Sequence, residues 1–145
     1  MTQKLLFVCL GNICRSPAAE GLVRDLCPEV ETDSCGTGAW HVGEPPYGPM
    51  QAAAAARGTD LSDLRARQFT RGDFDRFDLI LVMDHDNRAN VEALRPSGNT
   101  TEVKLFAEYA GQAGVSEVPD PYYTRDFDGC LDLLEEAAAG LKRAL

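Results

Sequence analysis

Positive charge is scarce in this 145-residue sequence. Its 14 Lys and Arg face 23 Asp and Glu, a formal net charge of −9. That deficit argues against nucleic acid or an anionic membrane surface as a partner. With 2 His and no Cys-x2-Cys pair, the sequence lacks the ligand spacing of a zinc site, and neither a metal nor another cofactor is expected. No apolar run approaches the ~20 residues that a membrane span requires. Met1-Thr2-Gln3-Lys4 leads into strand-like sequence without a cleavable signal pattern. A cytoplasmic location is therefore expected, although export by a route without a signal peptide would leave no mark. Five Cys at 9, 14, 27, 35 and 130 form an odd set without framework spacing, so reduced thiols are expected. Internal repeats, linkers and low-complexity tails are also lacking. What is present, 44% apolar and 26% charged residues, is ordinary for one globular domain over 1–145.

Periodicity suggests an α/β chain. Leu5–Val8 and Leu79–Met83 are continuous apolar runs that suit buried strands, and Glu31–Ser34 and Glu102–Phe106 are shorter candidates. Between them, Ala19, Leu22, Val23 and Leu26 mark one face of a helix. Gln51–Arg57 is a run of helix formers stopped by Gly58, and Phe74 and Phe77 suit a short helical turn. A helix beginning at Asp84 carries Val91 and Leu94. Phe127, Cys130, Leu131, Leu134, Ala138 and Leu141 give a sustained stripe to the C-terminus, while Ala107–Pro119 suits a loop. Strands alternating with helices imply a four-stranded parallel sheet with helices on both faces. The expected order is 2-1-3-4, with its switch point between strands 1 and 3.

At that switch point lies Cys9-Leu10-Gly11-Asn12-Ile13-Cys14-Arg15-Ser16-Pro17. Cys9 ends the first strand, and Ser16 and Pro17 suit the cap and first position of a helix. A loop of this length, tightened by Gly11, can curl its backbone N–H groups around a tetrahedral dianion beside a helix N-terminus. Arg15 can clamp two oxygens with its planar fork, and Cys9 would sit at the centre as nucleophile. A Cys-x5-Arg spacing alone also fits ordinary strand-turn-helix packing, but here each neighbour has a distinct use. These residues point to phosphate-ester hydrolysis through a cysteinyl-phosphate.

From Cys9 to Pro17 the stretch resembles the low-molecular-weight protein tyrosine phosphatase family, and the Trp40-His41-Val42-Gly43 run resembles its bacterial members. Ser34–Val42, Met83-Asp84 and Asp120-Pro121-Tyr122-Tyr123 extend the resemblance over nearly the whole chain. It implies Cys9 as nucleophile, Arg15 as phosphate clamp and Asp120 as general acid, then base for the attacking water. It also implies a bracing role for Asn12, held by Ser34, and a supporting one for Asp84. Trp40, Tyr122 and Tyr123 would form the rim of a cleft with Leu10 and Ile13, deep enough for a phenyl ring. Relatives acting on phosphoarginine tend to carry Thr where this chain has Ile13, which favours phosphotyrosine. Cys35 departs from the usual Ala after the bracing Ser.

Three further expectations concern individual residues. The Ser16 hydroxyl can donate to the Cys9 sulfur as well as cap the helix. Cys14 can either capture an oxidised Cys9 as a disulfide or simply fill the loop. Tyr122 and Tyr123 are themselves possible targets of a tyrosine kinase, and the main partner expected is a phosphotyrosine-containing protein. His41 and His85 have no spacing tied to Cys9. Arsenate reductases share a similar loop but need two more downstream cysteines, whereas this chain has Met83 at the end of the relevant strand and no Cys between 35 and 130. A non-catalytic phosphotyrosine-binding module would not require both Cys9 and Asp120.

Overall fold

The computed structural model describes residues 3–145. Met1 and Thr2, part of the N-terminal stretch without a signal pattern, lie outside them. The two continuous apolar runs form the middle of the sheet, where both faces of a strand are covered. Strand β1 (Lys4–Cys9) lies parallel to β3 (Leu79–Val82), with Leu5 beside Leu79 and Val8 beside Val82. Strand β2 (Glu31–Gly36) flanks β1, pairing Cys9 with Gly36, and β4 (Glu102–Leu105) flanks β3. The order β2-β1-β3-β4 is the expected one. On the edge strand β4, Val103 and Leu105 turn inward while Glu102 and Lys104 stay exposed.

The two-residue period of the strands divides the core in two. Leu5, Phe7, Leu81 and Met83 pack under α1 (Arg15–Leu26), α2 (Gly48–Ala55) and the long C-terminal helix α6 (Phe127–Ala144). Leu6, Val8, Ile80 and Val82 pack on the other face, against Phe74 of α3 (Asp73–Arg76) and Val91 of α4 (His85–Glu92). Helix α6 buries Cys130, Leu131, Leu134, Ala138 and Leu141 of the expected stripe and Ala137 beside them, while Phe127, at its first turn, is only half-buried. Both faces are covered, so the carboxyl ends of β1 and β3 are left for a site.

Local details differ from the sequence expectations. Ser16 and Pro17 lie inside α1, whose cap position is Cys14, with no side chain capping it. Pro17 is tolerated there because its missing N–H is one of the first four, which lack an intrahelical acceptor anyway. Leu26 and Leu94 are exposed rather than core-facing, since each lies at a helix end beyond the packed stretch. Strand β2 runs on to Gly36, and α2 begins at Gly48, with Pro49 in its first turn and Gly58 beyond its end at φ 86°. Phe106–Ala110 coils as a 3-10 turn rather than continuing β4 or forming open loop.

Candidate active site

The loop after β1 is tight because of Asn12 rather than Gly11. Asn12 takes the left-handed backbone conformation at φ 58°, which its short polar side chain tolerates. Gly11 is small for another reason: a Cβ there would lie 3.1 Å from the His41 ring. The loop is pressed against the end of β2, and a Cβ on Gly36 would come within 2.7 Å of the Leu10 carbonyl oxygen. Gly36 is therefore a site-shaping residue that sequence reasoning missed. The signal was there to find, in a glycine ending the strand that pairs with Cys9.

Cys9 is 3% exposed and forms part of a cleft of about 260 Å³. Leu10, Gly11, Ile13, Cys14, Arg15, Trp40, His41, Asp120, Tyr122 and Tyr123 also line it. Trp40 and Tyr123 are 73% and 72% exposed, which places them at the mouth rather than in the core. His41, set aside on sequence grounds, is brought there by the loop after β2, with its Nδ1 2.8 Å from Glu44 Oε2. Asn12 and Ser16 do not line the cleft and lie buried behind Cys9, where a bracing residue and a sulfur partner are expected. His85 sits elsewhere, against Ser116 and Glu117.

The Cys9 sulfur has two polar neighbours, the Asn12 N–H at 3.3 Å and the Ser16 hydroxyl at 3.0 Å. Asn12 Nδ2 donates to Ser16 Oγ at 2.8 Å and to Ser34 Oγ at 3.0 Å, while its Oδ1 accepts from the Arg67 N–H at 3.0 Å. This fixes the carboxamide from three sides. Among the described residues, the N–H groups of Gly11, Ile13, Cys14 and Arg15 donate to no protein acceptor. Backbone donors left unpaired in a loop leading into a helix are what an anion site requires.

Arg15 crosses under the cleft from α1. Its Nη1 donates to Asp84 Oδ2 at 2.8 Å and to the Val118 carbonyl at 3.0 Å, and its Nη2 lies 3.4 Å from Asp120 Oδ2. Burial alone would lower the guanidinium's pKa, but Cys9, Asp84 and Asp120 more than offset this and raise it, so Arg15 stays charged. Asp84 also caps α4 by accepting from the Asn87 N–H, and Asp120 caps α5 (Pro121–Thr124) by accepting from the Tyr122 N–H. Each carboxylate thus ties a helix start to the same guanidinium. All five cysteines are free and buried. Burial raises the thiol pKa of Cys14, with neighbouring Cys9, Asp120 and Cys130 adding to the shift.

The arrangement has counterparts in known proteins. The family model for low molecular weight phosphotyrosine protein phosphatase matches residues 4–145. The low molecular weight protein-tyrosine-phosphatase YfkJ of Bacillus subtilis is 38% identical over 137 residues, covering 90% of this chain and 88% of its own. The crystal structure of YfkJ matches with a TM-score of 0.94 over 99% of this chain and 94% of that one, at 35% identity. The low molecular weight protein-tyrosine-phosphatase of Streptomyces coelicolor is 40% identical, covering 100% of this chain and 94% of its own. Wzb of Vibrio vulnificus, solved in complex with benzylphosphonate, matches with a TM-score of 0.89 at 29% identity, covering all of both chains. With a Cys-x5-Arg loop at the end of its central strand and this similarity along its full length, the chain belongs to the low molecular weight phosphotyrosine protein phosphatase family, whose members act through a cysteinyl-phosphate intermediate and without a metal.

Proposed function

We propose that residues 1–145 form one catalytic domain in which Cys9, Arg15 and Asp120 hydrolyse phosphotyrosine in protein substrates. The observation that carries this reading is the shared cleft: sulfur, guanidinium and carboxyl line one opening beside unpaired backbone N–H groups. Cys9 sulfur, as the anion, attacks phosphorus. An S–P bond forms, the P–O bond to the tyrosine breaks, and the Asp120 carboxyl gives its proton to the departing phenolic oxygen. Water then attacks phosphorus while the Asp120 carboxylate takes its proton, and the S–P bond breaks to release phosphate and the sulfur anion. Charge on the equatorial oxygens is met by the loop N–H groups and by Arg15, so positioning and electrostatics do most of the catalysis. The Ser16 hydroxyl and the Asn12 N–H stabilise negative charge on sulfur at the start and end of the cycle.

Substrate choice rests on depth. Trp40, Tyr122 and Tyr123 are exposed around the cleft and Cys9 lies buried within it, which favours a phenyl ring over the shorter serine side chain. The aromatic phosphonate bound by the Vibrio vulnificus neighbour supports the same choice. A cytoplasmic location suits five free thiols, and no helix among the described residues is long and apolar enough to cross a membrane. Exposed Tyr123 and Tyr122 offer a tyrosine kinase its acceptor hydroxyls.

The test is turnover of an aryl phosphate in the presence of a chelator. Activity that is inhibited by vanadate, lost in Cys9→Ser and reduced by about 10²–10⁴ in Asp120→Asn supports the assignment. Full activity of Cys9→Ser overturns it.

A further inference from the structure

Behind the cleft, the hydrogen bonds that hold Cys9 continue to a buried carboxyl. Glu20, on α1, is 6% exposed, and its Oε1 accepts from the Ser34 hydroxyl at 2.7 Å. Ser34 Oγ accepts from Asn12 Nδ2 at 3.0 Å, Asn12 Nδ2 also donates to Ser16 Oγ at 2.8 Å, and Ser16 Oγ lies 3.0 Å from Cys9 Sγ. Among the described residues no cation lies within ion-pair distance of Glu20. Arg24 on the same helix is held by Asp63 and the Asp60 carbonyl, and Arg67 by Asp33 and Asp73. The charged groups facing Glu20 are Asp33 from β2, Asp63 from the connector after α2, and Arg24.

We propose that Glu20 is a positioning residue, which aims the Ser16 hydroxyl at the Cys9 sulfur through Ser34 and Asn12 and makes sulfur reactivity depend on whether the Glu20 carboxyl carries a proton. This rests on Cys9 being the nucleophile.

The direction follows from counting donors. An ionised carboxylate only accepts, so the Ser34 hydroxyl must donate to it and its lone pairs are left for Asn12. The Arg67 N–H holds Asn12 Oδ1, so both hydrogens of Nδ2 face the two serines. With Asn12 donating to Ser16 Oγ, the Ser16 proton is left for Cys9 Sγ, its competitor being the Cys35 carbonyl at 3.3 Å. A protonated Glu20 can donate to Ser34 instead. Ser34 Oγ then receives two donors and loses the acceptor for its own proton, the Asn12–Ser16 geometry slackens, and the Ser16 hydroxyl can turn to Cys35. Burial, with Asp33 and Asp63 adding to it, raises the Glu20 pKa to about 7 against the pull of Ser34 and Arg24, so this change falls in the working pH range.

The test is the rate of Cys9 alkylation by iodoacetamide from pH 5.5 to 8.5, read by mass spectrometry at Cys9, with aryl phosphate turnover followed in parallel. The wild-type profile is expected to carry, besides the ionisation of Cys9, a second inflection near neutrality worth up to about tenfold, the scale of one hydrogen bond. Glu20→Gln keeps an acceptor for Ser34 but cannot titrate there, and should lose that inflection. Ser34→Ala keeps the carboxyl but cuts the relay, should lose it too, and carries the test if Glu20→Gln fails to fold. Coincident profiles of wild type and Glu20→Gln overturn the proposal, as does an inflection that survives Ser34→Ala. Absence of turnover alongside the expected alkylation profiles would overturn the phosphatase assignment and leave the relay standing.

Discussion

Arg15 and Asp84 are joined at 2.8 Å, and the other oxygen of the same carboxylate accepts the Asn87 N–H at 2.7 Å. One side chain therefore caps α4 and holds the cleft guanidinium. Asp84→Ala should lose about 1 kcal/mol for the cap. Leaving a buried Arg short of its partner raises the total to about 3 kcal/mol. Urea denaturation reads the stability. Weaker competitive inhibition by inorganic phosphate, alongside a raised KM, would show that the misplaced guanidinium binds the anion less well.

Gly36 makes a second prediction because its neighbour is backbone, which cannot rotate aside. In Gly36→Ala the Cβ would meet Leu10 O and the Asn12 N–H, so the loop must shift. A displacement of this kind in the reacting geometry is expected to lower kcat/KM by about 10²-fold. Gly140→Ala is the control: its Cβ would run into the Tyr109 carbonyl, where α6 crosses the 3-10 turn far from the cleft. That variant should lose melting temperature while keeping its kcat once folded.

The raised pKa of Glu20 has a consequence for stability. The folded protein holds this proton up to about pH 7, whereas the unfolded chain releases it near 4.5. Between those values the native state binds more protons, so the contribution of Glu20 to stability falls as pH rises. A shift of this size corresponds to a loss on the order of 3 kcal/mol, complete above pH 7. Asp73 works in the opposite sense. Burial would raise its pKa, but Arg67, the Thr70 N–H and Arg76 more than offset that and lower it, so its contribution is present at neutral pH and fades in acid. Urea denaturation at pH 5 and pH 8 should show Glu20→Gln gaining on the wild type as pH rises.

Cys14 shares the cleft with Cys9, and burial raises its thiol pKa. Peroxide would oxidise the Cys9 sulfur to the sulfenic acid, and the Cys14 thiol would condense with it, releasing water and forming a disulfide. Peroxide inactivation should therefore be reversed by thiols in the wild type and become largely irreversible in Cys14→Ser. Full thiol recovery of Cys14→Ser would assign Cys14 to packing alone.

Much of this site could be read from a short stretch, because Cys9 to Arg15 carries the proposed nucleophile, the proposed clamp and the turn within seven residues. Hydrophobic patterning placed β1, β3 and α6, whose apolar residues repeat at the period their burial demands. The expected parallel sheet followed from strands alternating with helices, and its order 2-1-3-4 is the one found. Patterning was least reliable at helix ends, as Leu26 and Leu94 show, and Ser16 was misplaced because a hydroxyl suited to a cap also suits a buried sulfur.

The order of residues along the chain was enough to propose a nucleophile and a clamp from their local spacing and to expect the layered α/β architecture from its repeating apolar pattern, while the proposed acid, Asp120, came from the family resemblance. Folding was needed to reveal what converges from distant segments: Gly36 under the loop, Val118 on the guanidinium, the Arg67 N–H on Asn12, and Glu20 at the end of the chain of hydrogen bonds behind Cys9. These partners lie 14 to 103 residues from the groups they touch, and no local pattern records a contact whose only requirement is that two surfaces meet in space.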